Sequence, residues 1–121
     1  MEKIIIYTDG GARGNPGPAA IGVVIQDVSG NTIKSYGEAI GEKTNNEAEY
    51  QAVIFGLKKI KQLFGKEKAQ AMRIEFRMDS ELAVEQLSNR YKIQGENLQK
   101  LFMEVHNLMI DVGGGTSFTH V

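Results

Sequence analysis

No cysteine occurs among the 121 residues, which excludes disulfides and thiolate metal sites and leaves oxygen and imidazole as the ligands for any metal. Fifteen acidic residues stand against two histidines, so Mg²⁺, or Mn²⁺ in its place, is the expected ion. No apolar run approaches the roughly 20 residues needed to span a bilayer, and Met1-Glu2-Lys3-Ile4 leads directly into a strand-like run without a signal-peptide pattern. The expectation is a cytoplasmic protein with no membrane segment. Charge of one sign is also lacking, since the net charge is −1. That balance does not decide the partner, because a local basic face can coexist with an acidic site. Internal repeats, low-complexity tracts and interdomain linkers are absent too, so residues 1–121 read as a single domain.

What is present alternates strand and helix patterns. Ile4 to Thr8 is a β-branched and aromatic run, apolar on both alternating faces as in a central strand covered on both sides, and it delivers Asp9 at its end. Asp9 to Pro18 carries four glycines and the only two prolines of the chain, which predicts a turn-rich loop. Ala20–Gln26 and Thr32–Ile40 read as strands joined through Ser29-Gly30-Asn31. Thr44-Asn45-Asn46-Glu47 fits a capping box that opens a helix over 45–64. Its apolar stripe is Ala52, Val53, Gly56, Leu57, Ile60, Leu63 and Phe64, with Glu49 in its middle and Glu47 on the opposite face. Arg73–Met78 alternates as a half-buried strand, and Asp79 or Ser80 caps a short helix from Glu81 to Ser88. Leu98, Leu101, Phe102, Val105, Leu108 and Met109 recur at helical spacing, Gly113-Gly114-Gly115 ends that helix, and Thr116–Val121 is a last strand.

This order describes a mixed α/β domain, an antiparallel meander joined to parallel strands by helical crossovers. Asp9 and Asp79 both end strands. If those strands are parallel neighbours, the two aspartates share the carboxyl edge of the sheet, where ligands of open α/β sheets bind, and Glu49 points at the same spot. Carboxylates so close repel one another and require metal ions, shared protons or both; metal is the better account. Each residue also has a plainer role: Asp79 as a helix cap, Asp9 in a turn, Thr44 as an N-cap or as a phosphate-holding helix start. Burying Glu49 on an apolar stripe without a partner is the costliest of these arrangements.

Thr8-Asp9-Gly10-Gly11 with Gly14-Asn15-Pro16-Gly17-Pro18, then Thr44-Asn45-Asn46-Glu47-Ala48-Glu49-Tyr50, then Met78-Asp79-Ser80, resemble the successive motifs of type 1 ribonuclease H. The resemblance runs from residue 4 to residue 121. It implies a ribonuclease H-like mixed five-stranded sheet, three strands as an antiparallel meander plus parallel strands, with helices on its faces. It implies endonucleolytic hydrolysis of the RNA strand of an RNA–DNA hybrid, giving 5′-phosphate and 3′-hydroxyl ends. Two Mg²⁺ ions would be held by Asp9, Glu49 and Asp79. Gly10, Gly11, Asn15, Thr44, Asn45, Ser80 and Glu81 become candidate substrate contacts, with Thr44 gripping a DNA-strand phosphate.

Two departures qualify the resemblance. Asn89–Gly95 is too short for the basic handle that many bacterial members carry, so hybrid binding is expected to be weaker and more salt-sensitive. The chain also stops before the C-terminal helix and fourth catalytic aspartate of the family, which reads as a truncation. That would expose apolar sheet surface and invite a homodimer. A catalytically impaired hybrid-binding domain is therefore the alternative to an active enzyme. His120 does not match the family's mobile-loop histidine clearly, His106 lies among solvent-facing helix positions, and Asp111 reads as a helix terminus and not as a replacement ligand.

Overall fold

The computed structural model describes every residue except Met1, Gly113 and Gly114. The elements run β1 (Lys3–Ala12), β2 (Gly17–Gln26), β3 (Thr32–Lys43), α1 (Asn45–Phe64), α2 (Lys66–Gln70), β4 (Arg73–Met78), α3 (Glu81–Leu87), α4 (Glu96–Val112) and β5 (Gly115–His120). The five strands form one sheet in the order β3-β2-β1-β4-β5. β3, β2 and β1 are an antiparallel meander, whereas β4 pairs parallel with β1 and β5 parallel with β4. The mixed five-stranded α/β architecture expected from the sequence is thus the one found.

Alternation along the strands decides where the core lies. Ile4 and Ile6 of β1, Ile21, Val23 and Ile25 of β2, and Ile74, Phe76 and Met78 of β4 are buried in one cluster with Val53, Leu57 and Ile60 of α1 and Val84, Leu87 and Val105 of the later helices. Phe118 of β5 extends this face by stacking on Phe76 at 5.4 Å between ring centroids. Gly56 lets α1 settle onto the sheet, because an added Cβ would meet the Phe76 ring at 3.1 Å. One buried polar pair crosses the core: the Tyr50 hydroxyl donates to Gln86 Oε1 at 2.9 Å.

The structure corrects several expectations. The segment from Asp9 to Ala12 is strand and not loop, since the antiparallel pairing of β1 with β2 continues through Ala12↔Ala19. Only 13–16 turn, with Gly14 at φ +84° and a cis Asn15–Pro16 bond. Glycine and proline content predicts a turn-rich loop, but Gly10 and Gly11 keep the backbone free to pair with β2. The buried band of α1 is broader than one stripe, taking in Ala48, Tyr50 and Ile54, while Leu63 is 41% exposed. α1 is covered by α4 as well as by the sheet, so burial follows two neighbours and not one. Of the two residues the sequence offers as the α3 cap, Ser80 supplies it, accepting from Ala83 N–H at 3.2 Å. The glycine stop after α4 falls at 113 and 114, outside the described residues.

The sheet's second face is charged where β1 and β4 run side by side. Along β1 and β4 it carries an ion-pair ladder: Lys3 Nζ to Glu75 at 3.0 Å, Arg77 Nε to Glu75 at 3.1 Å, and Arg77 donating to the Tyr7 hydroxyl at 2.9 Å. Arg77 first, with help from Lys3, holds the Glu75 carboxyl down to about 2, against the opposing effect of burial. Among the described residues no helix is long and apolar enough to cross a membrane.

Candidate active site

Sheet register builds the site. β4 pairs with β1 from Lys3↔Arg73 to Thr8↔Met78 and then stops, while β1 runs on beside β2 through Asp9↔Gly22 and beyond. Asp9 is therefore the first β1 residue without a β4 partner. Asp79, the residue after β4, comes abreast of it at the carboxyl edge of the parallel pair. The pairing of the two strands ends at this edge, where ligands of open α/β sheets bind.

Glu49 reaches this edge from α1. The capping box forms as expected, with Glu47 N–H donating to the Thr44 hydroxyl at 3.1 Å and Thr44 N–H donating to Glu47 Oε1 at 2.8 Å. That commits Glu47 to the helix start and leaves Glu49, half-buried, toward the sheet. Gly10 then sets the spacing. A Cβ there would lie 2.3 Å from the Ala48 carbonyl oxygen and 2.7 Å from the Glu49 nitrogen, so strand backbone touches helix backbone at the residue that bears the carboxylate. Gly11 is different, since a Cβ at that position would meet only Asn45 Oδ1, at 3.9 Å.

Electrostatics couples the three acids. Burial above all pushes the Glu49 carboxyl up, the charges of Asp79 and Asp9 push it further, and a hydrogen bond from Ser80 opposes them. Among the described residues, no three acidic or histidine side chains converge closely enough to hold a metal ion as they stand. Both aspartates are exposed at the edge, where water screens their mutual repulsion. The donor set is nevertheless all carboxylate oxygen, and a hard divalent cation is the ligand that would relieve the cost of Glu49's charge.

The other candidate residues divide into two groups. Asn15, Thr44 and Asn45 meet where the 13–16 turn abuts α1: Asn45 Oδ1 accepts from Ala12 N–H at 2.8 Å, and Asn45 N–H donates to Asn15 Oδ1 at 3.0 Å. Each amide's carbonyl is thus tied to the backbone, leaving its NH₂ end for a ligand. These residues line a cavity of about 580 Å³ together with Gln94 to Leu98 at the start of α4. Those α4 residues carried no sequence signal, because only the fold brings them there. Ser80 and Glu81 instead lie on the acidic side, at the start of α3.

A second hollow of about 320 Å³ adjoins Asp9 and Asp79 and is lined also by Tyr7, Gly22, Val24, Arg77 and Val121. His120 lies close by, its Nε2 3.2 Å from the Asp79 carbonyl oxygen. His106 is exposed on α4, and Asp111 pairs with Lys61 and Lys66 at 3.6 and 3.8 Å, which accounts for it without a metal.

A meander continued by parallel strands, with acidic residues at the β1–β4 edge, defines a ribonuclease H-like domain. The family described as Reverse transcriptase-like matches residues 7–120, and the chain belongs to that family. It is similar to a ribonuclease H1 named LC11, solved in complex with an RNA/DNA hybrid, at a TM-score of 0.92 and 47% identity, covering 98% of this chain and 84% of that one. It is 41% identical over 107 residues to the bifunctional protein Rv2228c of Mycobacterium tuberculosis, covering 88% of this chain. Ribonuclease HI of Halobacterium salinarum is 35% identical over 119 residues, covering 98% of this chain. The chain spans 28% of the mycobacterial protein's length and 56% of the halobacterial one's.

Proposed function

We propose that this domain is a ribonuclease H, hydrolysing the RNA strand of RNA–DNA hybrids endonucleolytically to leave 5′-phosphate and 3′-hydroxyl ends. The observation that carries the reading is the parallel β1–β4 register, which sets Asp9 abreast of Asp79 at the edge that Glu49 faces. Similarity to ribonucleases H1 and HI, one of them solved with a hybrid bound, supports the substrate class.

Asp9, Glu49 and Asp79 would hold two Mg²⁺ ions, with Mn²⁺ able to substitute. Divalent ions at such a site supply Lewis acidity, activating water and stabilising the leaving 3′-oxygen. The protein's own contribution is placement. Gly10 fixes the distance between strand and helix, and the carboxylates concentrate negative charge where cations are wanted. Asn15, Asn45, Gly10 and Gly11 are the groups that would read a minor groove with its 2′-hydroxyls, and that hydroxyl distinguishes RNA from DNA. Glu81 flanks the acidic edge on the other side. Thr44, at the amide-rich start of α1, suits a DNA-strand phosphate. Recognition of this kind follows duplex shape and not base sequence.

The test is incubation of a labelled RNA–DNA hybrid with the protein in Mg²⁺ and in Mn²⁺, beside an Asp9→Asn control. Internal cuts confined to the RNA strand, lost in the control, are expected. Retained hybrid binding without cleavage in either ion would replace this reading with that of a hybrid-binding domain, and equal cleavage by Asp9→Asn would move the site elsewhere.

A further inference from the structure

Among the described residues, Thr8 Oγ1 is the one buried side-chain polar atom without a hydrogen-bond partner, in a residue only 6% exposed. Nearly all buried polar groups in folded proteins are paired, and leaving one unpaired costs more than a typical hydrogen bond contributes. Valine has nearly the shape of threonine and would continue the β-branched run Ile4-Ile5-Ile6 without that cost. The position of the hydroxyl suggests its use. Thr8 pairs with Met78 across the parallel strands, so it stands in the row directly behind Asp9 and Asp79. By the alternation of β1 it shares the helix-covered face with Ile4 and Ile6. On that face the next residue, Gly10, abuts the backbone of Ala48 and Glu49, and the preceding one, Ile6, lies against Gly56. Thr8 is therefore beneath the stretch of α1 between Ala48 and Gly56, on the side of the sheet from which Glu49 reaches the acidic edge.

We propose that Thr8 is a positioning residue, its hydroxyl donating to the Glu49 carboxylate when the three acids gather around divalent ions and holding that carboxylate toward the aspartate pair. The inference rests on the proposed metal-dependent function and deepens it. Among the described residues no three acids converge closely enough to hold an ion as they stand, so binding has to draw the carboxylates together. Asp9 and Asp79 are exposed and Glu49 is half-buried. Water can solvate the aspartates throughout, whereas a carboxylate drawn in from α1 needs a donor from the protein. Thr8 holds an unused proton on that side of the sheet. A carboxylate can only accept and a hydroxyl has one proton to give, so the pairing satisfies both groups at once. Hydrogen-bonded partners of metal ligands orient those ligands, and their loss typically costs about 10–100-fold in metal affinity.

Thr8→Val and Thr8→Ser separate the hydroxyl from the shape: valine removes the hydroxyl and keeps the branched outline, and serine keeps the hydroxyl and loses a methyl. In the metal-free protein, Thr8→Val should melt above wild type, because it deletes an unpaired buried group. Mg²⁺ affinity by calorimetry should fall about 10-fold or more in Thr8→Val and stay close to wild type in Thr8→Ser. On a hybrid substrate at fixed Mg²⁺, kcat should fall in Thr8→Val with KM for the hybrid little changed, and added Mg²⁺ should restore it. Wild-type Mg²⁺ affinity in Thr8→Val overturns the inference and leaves the proposed function standing. A Thr8→Val protein that melts below wild type without metal also overturns it, by showing that the hydroxyl already has a partner. Equal loss of Mg²⁺ affinity in Thr8→Ser overturns it too, by assigning the effect to packing. Wild-type protein that binds neither Mg²⁺ nor Mn²⁺ overturns the functional reading and this inference together.

Discussion

Replacing Gly10 by alanine would test how the fold sets the geometry of the acidic edge. The new Cβ would lie 2.3 Å from the Ala48 carbonyl oxygen, 2.4 Å from its carbon and 2.7 Å from the Glu49 nitrogen, whereas ordinary contact begins at 3.4 Å. All three atoms are backbone, so no rotamer change relieves the clash, and strand and helix must separate by about 1 Å. Overpacking of this kind costs about 1–3 kcal/mol, less about 0.4–1 kcal/mol gained because alanine restricts the unfolded chain. A net loss of about 1–2 kcal/mol corresponds to a fall in Tm of several degrees for a domain of this size. The functional effect should be larger, because a displacement of about 1 Å between catalytic groups costs on the order of 100-fold in rate. Gly11→Ala is the matched control, its Cβ meeting only Asn45 Oδ1 at 3.9 Å, and should leave Tm nearly unchanged. Thermal unfolding and single-turnover hybrid cleavage of both variants check the reasoning. A Gly10→Ala protein with wild-type Tm and rate would refute it.

Other perturbations follow from the same geometry. Glu49 has its folded-state pKa raised, so its ionised form costs stability that appears as pH rises above the ordinary carboxylate value. Glu49→Gln should therefore raise the Tm of metal-free protein at neutral pH while abolishing cleavage. Glu75 is the opposite case, its pKa lowered from 4.5 to about 2. Its ladder contributes stability above the unfolded value that is lost as pH falls through the folded one, so Glu75→Gln should lose about 1 kcal/mol at pH 7 after allowance for solvent screening and flatten the acid limb in urea titrations between those two pH values. Thr44→Ala removes the α1 cap, should cost about 1 kcal/mol in chemical denaturation, and should weaken hybrid binding. Saturating Mg²⁺ at 100 times its Kd should stabilise wild type by about 2.7 kcal/mol, and scanning calorimetry should find that gain missing in Asp9→Asn.

Much of this was legible in the sequence because the informative residues carry local physical signals. Alternation in Arg73–Met78 and the capping box at Thr44–Glu47 are short-range patterns, and both appear as expected. Helical phase separated Glu49 from Glu47 for the same reason. What the sequence hid depends on neighbours. Gly10 and Gly11 look like turn residues until β2 is known to pair across them, and Leu63 looks buried until the reach of α4 over α1 is known. The Lys3–Glu75–Arg77–Tyr7 ladder joins residues 70 positions apart, and the Asn15–Asn45 bond joins residues 30 apart. Neither leaves a local trace. The choice between Asp79 and Ser80 as the α3 cap also needed coordinates, because both residue types cap helices well.

The central claim is that Asp9, Glu49 and Asp79 together bind divalent metal, and a crystal of the protein equilibrated with Mn²⁺ tests it most directly. The account predicts anomalous difference density between β1, β4 and the start of α1, with carboxylate oxygens of all three residues within bonding distance, about 2.0–2.3 Å, and its loss in an Asp9→Asn crystal. Density at other surface acids with none at this edge, under Mn²⁺ concentrations that support hybrid cleavage, would contradict it.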